Sequence, residues 1–140
     1  MSAIDPAAAN LLDQVTVGTL ATESKGGRPR QSLVYFVRDG DRLLISTEAG
    51  RLKTKDVERT GWASLSVRAN AAPFPAATFS GPAEILTEEI GTATAAVMQR
   101  ITGASEPPEA QSDEALAGVG RVILALTVER VTAANYLDQL

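Results

Sequence analysis

The 140-residue sequence contains no cysteine and no histidine. Without cysteine there is no disulfide and no thiolate metal site, which is compatible with a reducing compartment. Without either residue type the chain has no imidazole base, no thiol nucleophile and no ordinary ligand set for zinc, copper or haem. We therefore expect no metal site, and any redox chemistry must come from a borrowed cofactor.

Long apolar runs are missing too, and aromatic residues make up only 4% of the chain. No run could span a membrane, and the N-terminal Met-Ser-Ala-Ile-Asp-Pro lacks the basic start and apolar core of a signal peptide. These absences predict a cytoplasmic protein with no membrane partner. Six aromatic residues in all offer few platforms for stacking bases, which argues against a nucleic-acid partner.

What is present indicates a globular protein, because 44% of the residues are hydrophobic and 21% are charged. The length suits one domain, residues 1–140. The net charge of -4 conceals an asymmetry, since residues 25–59 hold nine of the thirteen Lys and Arg residues against five acids. A local positive region in an acidic chain favours a small anionic ligand over a long polyanion.

Alternating apolar residues and turn residues predict a mainly β fold with helical decoration. Helices are expected at 6–15, from Arg51 onward and from Glu88 onward, with an exposed acidic loop at 103–113. Strands are expected at 16–22, 30–38, 42–47, 62–68, 76–87 and 119–131. Gly81-Pro82 predicts a bulge or bend. About six antiparallel strands without a βαβ rhythm indicate a small β-barrel.

Several apolar and charged side chains have a structural interpretation. Both faces of the segment 32–37 are apolar, which predicts packing on both sides and an obligate dimer. Trp62 and Phe79 are expected in the core, and Met98 with Ile101 on the buried face of a helix. Arg28 and Arg30 flank a turn and are expected to be solvated.

The stretch from Leu43 to Arg59 is the strongest functional candidate, and it reads as strand, turn and helix. Arg51, Lys53 and Lys55 fall in the first turn and a half of this helix, where unpaired N–H groups and the macrodipole are already positive. These groups, with the hydroxyls of Thr47 and Thr54, predict an anion site. The alternative is a run of solvated surface charges.

Taken in order, these segments resemble the split β-barrel flavin and deazaflavin proteins related to pyridoxamine 5'-phosphate oxidase. The residues that carry the resemblance are Val17–Thr22, the Gly27–Pro29 turn, Ser32 with Val34, Leu43–Ser46, Arg51–Lys55, Ala63–Val67 and Phe79–Ala83. Together they cover roughly the first two thirds of the chain.

The resemblance implies a homodimer with a cofactor in the cleft between subunits. Carried over residue by residue, it implies that the cofactor's phosphate is held by the basic segment, namely Arg51, Lys53, Thr54 and Lys55. Ser32 and Thr47 would lie at the rim of the site, and Val34 beside the ring system. The chain length is most similar to the branch that uses coenzyme F420. This branch often has Asn-Leu where Asp56-Val57 stands here, so Asp56 is expected to weaken the positive field locally.

Four functions compete. The first is an F420-dependent oxidoreductase that transfers a hydride to an unsaturated or quinone-like small molecule; catalytic side chains are unassigned, and Tyr35 or water could supply a proton. The second uses FMN on the same basic residues, and the third is a non-enzymatic coenzyme-binding protein. The fourth, a nucleic-acid-binding barrel, ranks last.

Overall fold

The computed structural model describes residues 2–134. Within them the chain forms α1 (Pro6–Gln14), β1 (Val17–Glu23), β2 (Pro29–Tyr35), β3 (Val37–Asp39), β4 (Arg42–Glu48), α2 (Leu52–Thr60), β5 (Trp62–Arg68), β6 (Ala76–Leu86), α3 (Ile90–Thr102), α4 (Asp113–Gly118), β7 (Arg121–Thr127) and β8 (Arg130–Ala134). The end of the chain, from 135 to 140, lies outside the described residues.

The strands form one antiparallel sheet in the order β2-β1-β5-β6-β7-β4-β3, and β8 also pairs with β6. The two strands at the ends of this order, β2 and β3, are consecutive in the chain and are joined at Phe36. The sheet therefore curls until its ends meet. The predicted mainly β split barrel is confirmed.

Strand β6 connects the two halves of the barrel, and Gly81 makes the crossing possible. Its first part pairs with β5, whereas from Ala83 it pairs with β7. A Cβ atom at Gly81 would lie 2.1 Å from the backbone oxygen of Thr127. Only glycine permits so close an approach of two backbones, and β6 changes its partner strand directly after Gly81-Pro82, where a bulge or bend was predicted.

The barrel interior holds the main core, whose largest fully buried side chains include Phe36, Phe79 and Leu65. Phe79 is thus in the core as predicted. Trp62 is 43% exposed, and its assignment to the core was wrong. In β5 the side chains alternate, and Ala63 and Leu65 take the inward face, so Trp62 points outward.

Two predicted strands are each divided in the structure. The segment 30–38 becomes β2 and β3, and the segment 119–131 becomes β7 and β8. At the second break Val128 N–H donates to Asp41 O and Glu129 N–H donates to Ser80 O, so the chain changes partner strand there. Helix α4 was not predicted; Ser112 caps it by accepting a hydrogen bond from Ala115 N–H.

Helix α3 begins at Ile90, slightly later than the sequence indicated. Its N-cap, Glu89, has φ of 59° and makes no side-chain cap. The carboxylate of Asp113 supplies the missing acceptor, taking hydrogen bonds from Glu89 N–H at 2.9 Å and Gly91 N–H at 2.8 Å. A residue distant in sequence therefore caps this helix and fixes the end of the 103–113 segment.

Candidate functional site

A cleft of about 490 Å³ lies between the ends of β2 and β4, the start of α2 and one face of α3. Its walls differ in chemistry. The basic end carries Arg51, Lys53 and Arg121, which are grouped around Glu48, and the rest of the lining includes apolar side chains of α3 and β2. A molecule that is anionic at one end and flat and apolar at the other would match this arrangement.

The basic end is built on the start of α2. Arg51 is the N-cap residue, no side chain caps the helix, and the first turn contains no acidic residue. The leading N–H groups of a helix have no intrahelical acceptor and present partial positive charge. The basic residues predicted at a helix start are therefore found there, and no acid in that turn offsets them.

Lys53 is half-buried in the cleft, and its electrostatics indicate an unsatisfied cation. Burial lowers the pKa of its ammonium group, the neighbouring charge of Arg51 lowers it further, and Glu48 only partly opposes this. A bound anion would relieve both the desolvation and the repulsion. The donor set therefore fits a phosphate group.

Glu48 lies between two of the cleft's arginines. Its carboxylate is 3.5 Å from Arg51 Nε and 3.8 Å from an Arg121 guanidinium nitrogen. Such half-exposed ion pairs are weak, so an incoming anion can compete for the arginines. Arg121 was not among the predicted site residues, because only the register that pairs it with Glu48 on β4 brings it to the cleft.

The structure divides the predicted site residues into two groups. Four of them line the cleft: Val34, Thr47, Arg51 and Lys53. Their role in binding stays a prediction. Three do not line it: Ser32, Thr54 and Lys55.

Thr54 and Lys55 are outside the cleft for different reasons. Thr54 is fully buried, and its hydroxyl donates a hydrogen bond to Glu48 O at 2.8 Å, so it holds the β4–α2 connection and is not available to a phosphate. Lys55 is exposed. Two residues beyond Lys53 on a helix, it projects about 200° away, to the opposite side.

Asp56 does not weaken the field at the cleft, and this interpretation was wrong. It is 2% exposed and accepts hydrogen bonds from Arg30 Nε at 2.7 Å, Thr22 Oγ1 at 2.8 Å and Arg59 at 3.3 Å. Arg30 was expected to be solvated, but it is bound here. Asp56 thus ties α2 to β1 and β2.

The apolar wall includes Met98 and Ile101 of α3 with Leu33 and Tyr35 of β2. Met98 is 42% and Ile101 40% exposed, so their assignment to a buried helical face was wrong. The apolar face of α3 packs on the sheet only along its first turns, and beyond Val97 it extends over the cleft. A pair of hydroxyls, Ser46 Oγ and Thr94 Oγ1 at 2.9 Å, interrupts this wall.

Two kinds of site are absent from the part of the chain that the structure describes. No helix among these residues is long and apolar enough to cross a membrane. No group of three or more His, Cys, Asp or Glu residues among them is placed to hold a metal ion.

The family model described as pyridoxamine 5'-phosphate oxidase matches residues 4–135. No curated protein matches the sequence significantly.

Several solved structures share the fold. A protein named F420 reductase is 22% identical, with a TM-score of 0.71 over 88% of this chain and 94% of that chain. A conserved hypothetical protein from Mycobacterium tuberculosis is 23% identical, with a TM-score of 0.73 over 100% of this chain and 92% of that chain. A heme-binding protein from Mycobacterium smegmatis is 21% identical, with a TM-score of 0.68 over 96% of this chain and 55% of that chain. At these identities the likeness shows the fold alone.

Proposed function

The chain belongs to the pyridoxamine 5'-phosphate oxidase family, and from that premise we propose that it is an F420-dependent oxidoreductase acting on an unsaturated or quinone-like small molecule. The observation that carries the proposal is that the lining of one cleft combines a cation-rich, uncapped helix start with apolar side chains. The likeness to a protein named F420 reductase agrees with it. A haem is a poorer candidate, because the chain has no histidine or cysteine for the iron.

In this proposal Arg51, Lys53 and Arg121, together with the N–H groups at the start of α2, hold the phosphodiester of the coenzyme and the start of its anionic tail. Three cations and a helix N-terminus exceed what one terminal phosphate needs. F420 extends its negative charge beyond the phosphodiester into a glutamate tail, whereas FMN ends in one phosphate. The number of donors therefore favours F420.

The ring system of the coenzyme would lie against Val34 and Tyr35, with Thr47 at the rim of the cleft. The reduced coenzyme supplies a hydride, and with one proton this reduces a double bond of the acceptor by two electrons. The chain's part is to align the two molecules and exclude water with the apolar wall. The Tyr35 hydroxyl or solvent provides the proton.

Fluorescence titration with oxidised F420 and with FMN tests the cofactor. We expect tighter binding of F420, and an F420 affinity that falls more steeply with added salt, because more charges are screened. Purified protein that is yellow with FMN, or equal affinities and salt slopes, would replace the assignment by the FMN alternative. Failure to bind either coenzyme would refute both.

We further propose that the protein is a homodimer whose second copy covers the β1–β2 ribbon. Val17 pairs with Tyr35, and Leu33 follows on the same face. Their side chains are 40%, 48% and 79% exposed, and Leu33 and Tyr35 also border the cleft. An apolar face of this kind beside the site indicates an interface that completes the site.

Leu33→Glu should convert the dimer to a monomer, because the substitution places a charge in an apolar interface. Analytical ultracentrifugation at micromolar concentration measures the mass of each form. Thr87→Glu adds the same charge at an exposed position away from the ribbon and should leave the dimer intact. A wild-type protein that sediments as a monomer would contradict the proposal.

A further inference from the structure

A second, smaller cavity of about 220 Å³ adjoins the cleft beneath the segment 104–112. It shares four lining residues with the cleft: Thr94, Met98, Gln111 and Leu116. The other four lining residues are Gly91, Ala95, Pro108 and Glu109, and the surface is mostly apolar. We call this cavity the annex. If the coenzyme fills the basic end of the cleft and the wall at β2, the annex is the space left beside it.

The outer wall of the annex is fixed to the body of the protein. Asp113 anchors one end of the segment to the start of α3 through two backbone N–H groups. The segment also lies directly against that helix, since a Cβ atom at Gly91 would come within 2.0 Å of Gln111 O. Although its side chains are exposed, the segment therefore forms a defined wall.

We propose that Thr94 is a positioning and specificity residue for the acceptor substrate, which is an uncharged carbonyl or quinone compound with its apolar part in the annex. The proposal rests on the proposed function. Thr94 Oγ1 bonds to Ser46 Oγ at 2.9 Å, and no other hydrogen bond to either hydroxyl is found within residues 2–134. The two hydroxyls have two protons and use one between them, so one O–H remains to donate to a substrate oxygen.

The charges around the annex favour a neutral substrate. The one titratable residue that lines the annex is Glu109. Residues 104–114, which include the segment 104–112 and the two residues after it, contain no basic residue and four acids, namely Glu106, Glu109, Asp113 and Glu114. Arg51, Lys53 and Arg121, the cations that line the cleft, do not line the annex, and the coenzyme phosphodiester is proposed to occupy them. An anionic substrate would thus meet like charge without a counter-ion.

Binding of naphthoquinone to protein saturated with oxidised F420 tests this inference without turnover. The chain has no cysteine for a quinone to modify. By calorimetry, Thr94→Val should weaken naphthoquinone binding about fivefold, the effect of losing one neutral hydrogen bond, while Thr94→Ser should stay within about twofold of wild type. Thr92→Val is the matched control, because Thr92 lies on the same helix but lines neither the cleft nor the annex. It should bind naphthoquinone as wild type does.

A second comparison tests charge, since naphthoquinone sulfonate should bind more weakly than naphthoquinone by at least about fivefold. The affinity of Thr92→Val for F420 should equal that of wild type, and each naphthoquinone titration is made on protein saturated with F420. Equal naphthoquinone affinity in Thr94→Val and wild type, an equal loss in Thr92→Val, or tight binding of the sulfonate would overturn the inference. Intact F420 binding with no naphthoquinone binding would overturn it as well and leave the proposed function standing, whereas loss of F420 binding in the wild-type protein would remove both.

Discussion

Replacing Asp56 with asparagine should lower the free energy of unfolding by about 2–4 kcal/mol. The carboxylate is buried and accepts hydrogen bonds from Arg30, Thr22 and Arg59. Removing one partner of a buried pair costs about 3–5 kcal/mol, because it leaves an uncompensated charge. The expected loss is smaller because the two arginine side chains are 31% and 38% exposed and recover some hydration.

The same residue predicts a dependence of stability on pH. Burial of the Asp56 carboxyl opposes its ionisation, but hydrogen bonds from Arg30, Thr22 and Arg59 outweigh burial, and the pKa lies below its ordinary value. A lowered pKa in the folded state stabilises the protein above the unfolded-state value of about 3.9. That contribution is lost as the pH falls through the folded-state pKa. Asp56→Asn should therefore lose less stability than wild type below about pH 4.

Denaturant unfolding at fixed protein concentration measures both effects. The variant should unfold at a lower denaturant concentration, and the dependence of its unfolding free energy on denaturant should be unchanged. Glu58→Gln is the control, since this exposed acid lies on the same helix and removes the same formal charge. Its effect should stay within about 0.5 kcal/mol. If the two variants unfold alike at neutral pH, Asp56 is not the anchor that fixes α2 to the barrel.

Much of the fold could be predicted because its signals are local in the sequence. Asp5 and Pro6 mark the start of α1, where Asp5 accepts a hydrogen bond from Ala8 N–H at 2.8 Å. Gly61 and Gly103 end α2 and α3 in the left-handed conformation that glycine adopts without strain. Each signal concerns a few adjacent residues, and no knowledge of the partner strand is needed to interpret it.

The residues that were missed or misplaced depend on contacts between distant segments. Arg121 reaches the cleft through the register of β7 on β4, and Thr94 through the packing of α3 beside Ser46. Asp113 caps a helix that begins 23 residues before it. Asp56 was expected to weaken the positive field because the sequence shows its charge but not its partners, Arg30 and Arg59. A charge count therefore located the basic region. Only tertiary contacts show which of its basic residues line the cleft and which form ion pairs that hold the fold together.

Replacing Lys53 with alanine should weaken binding of F420 by about 1.5–3 kcal/mol, which is roughly a 10- to 150-fold rise in Kd. The range is that of a charge-assisted hydrogen bond to an anion in a partly desolvated site. Lys53 is half-buried in the cleft, and burial and Arg51 both lower its pKa. An anion that binds there favours the ammonium form, so the pKa of Lys53 should rise on binding.

Lys55→Ala is the matched control, because it removes the same charge from the same helix at an exposed position outside the cleft. Fluorescence titration should give an F420 affinity for this variant within about threefold of wild type, since an exposed charge acts only through solvent. The wild-type affinity should also fall as the pH rises through the free-state pKa of Lys53, and the alanine variant should lack this decline. Equal losses in the two variants would mean that the phosphodiester responds to a diffuse positive field, and the start of α2 would then be no specific anion site.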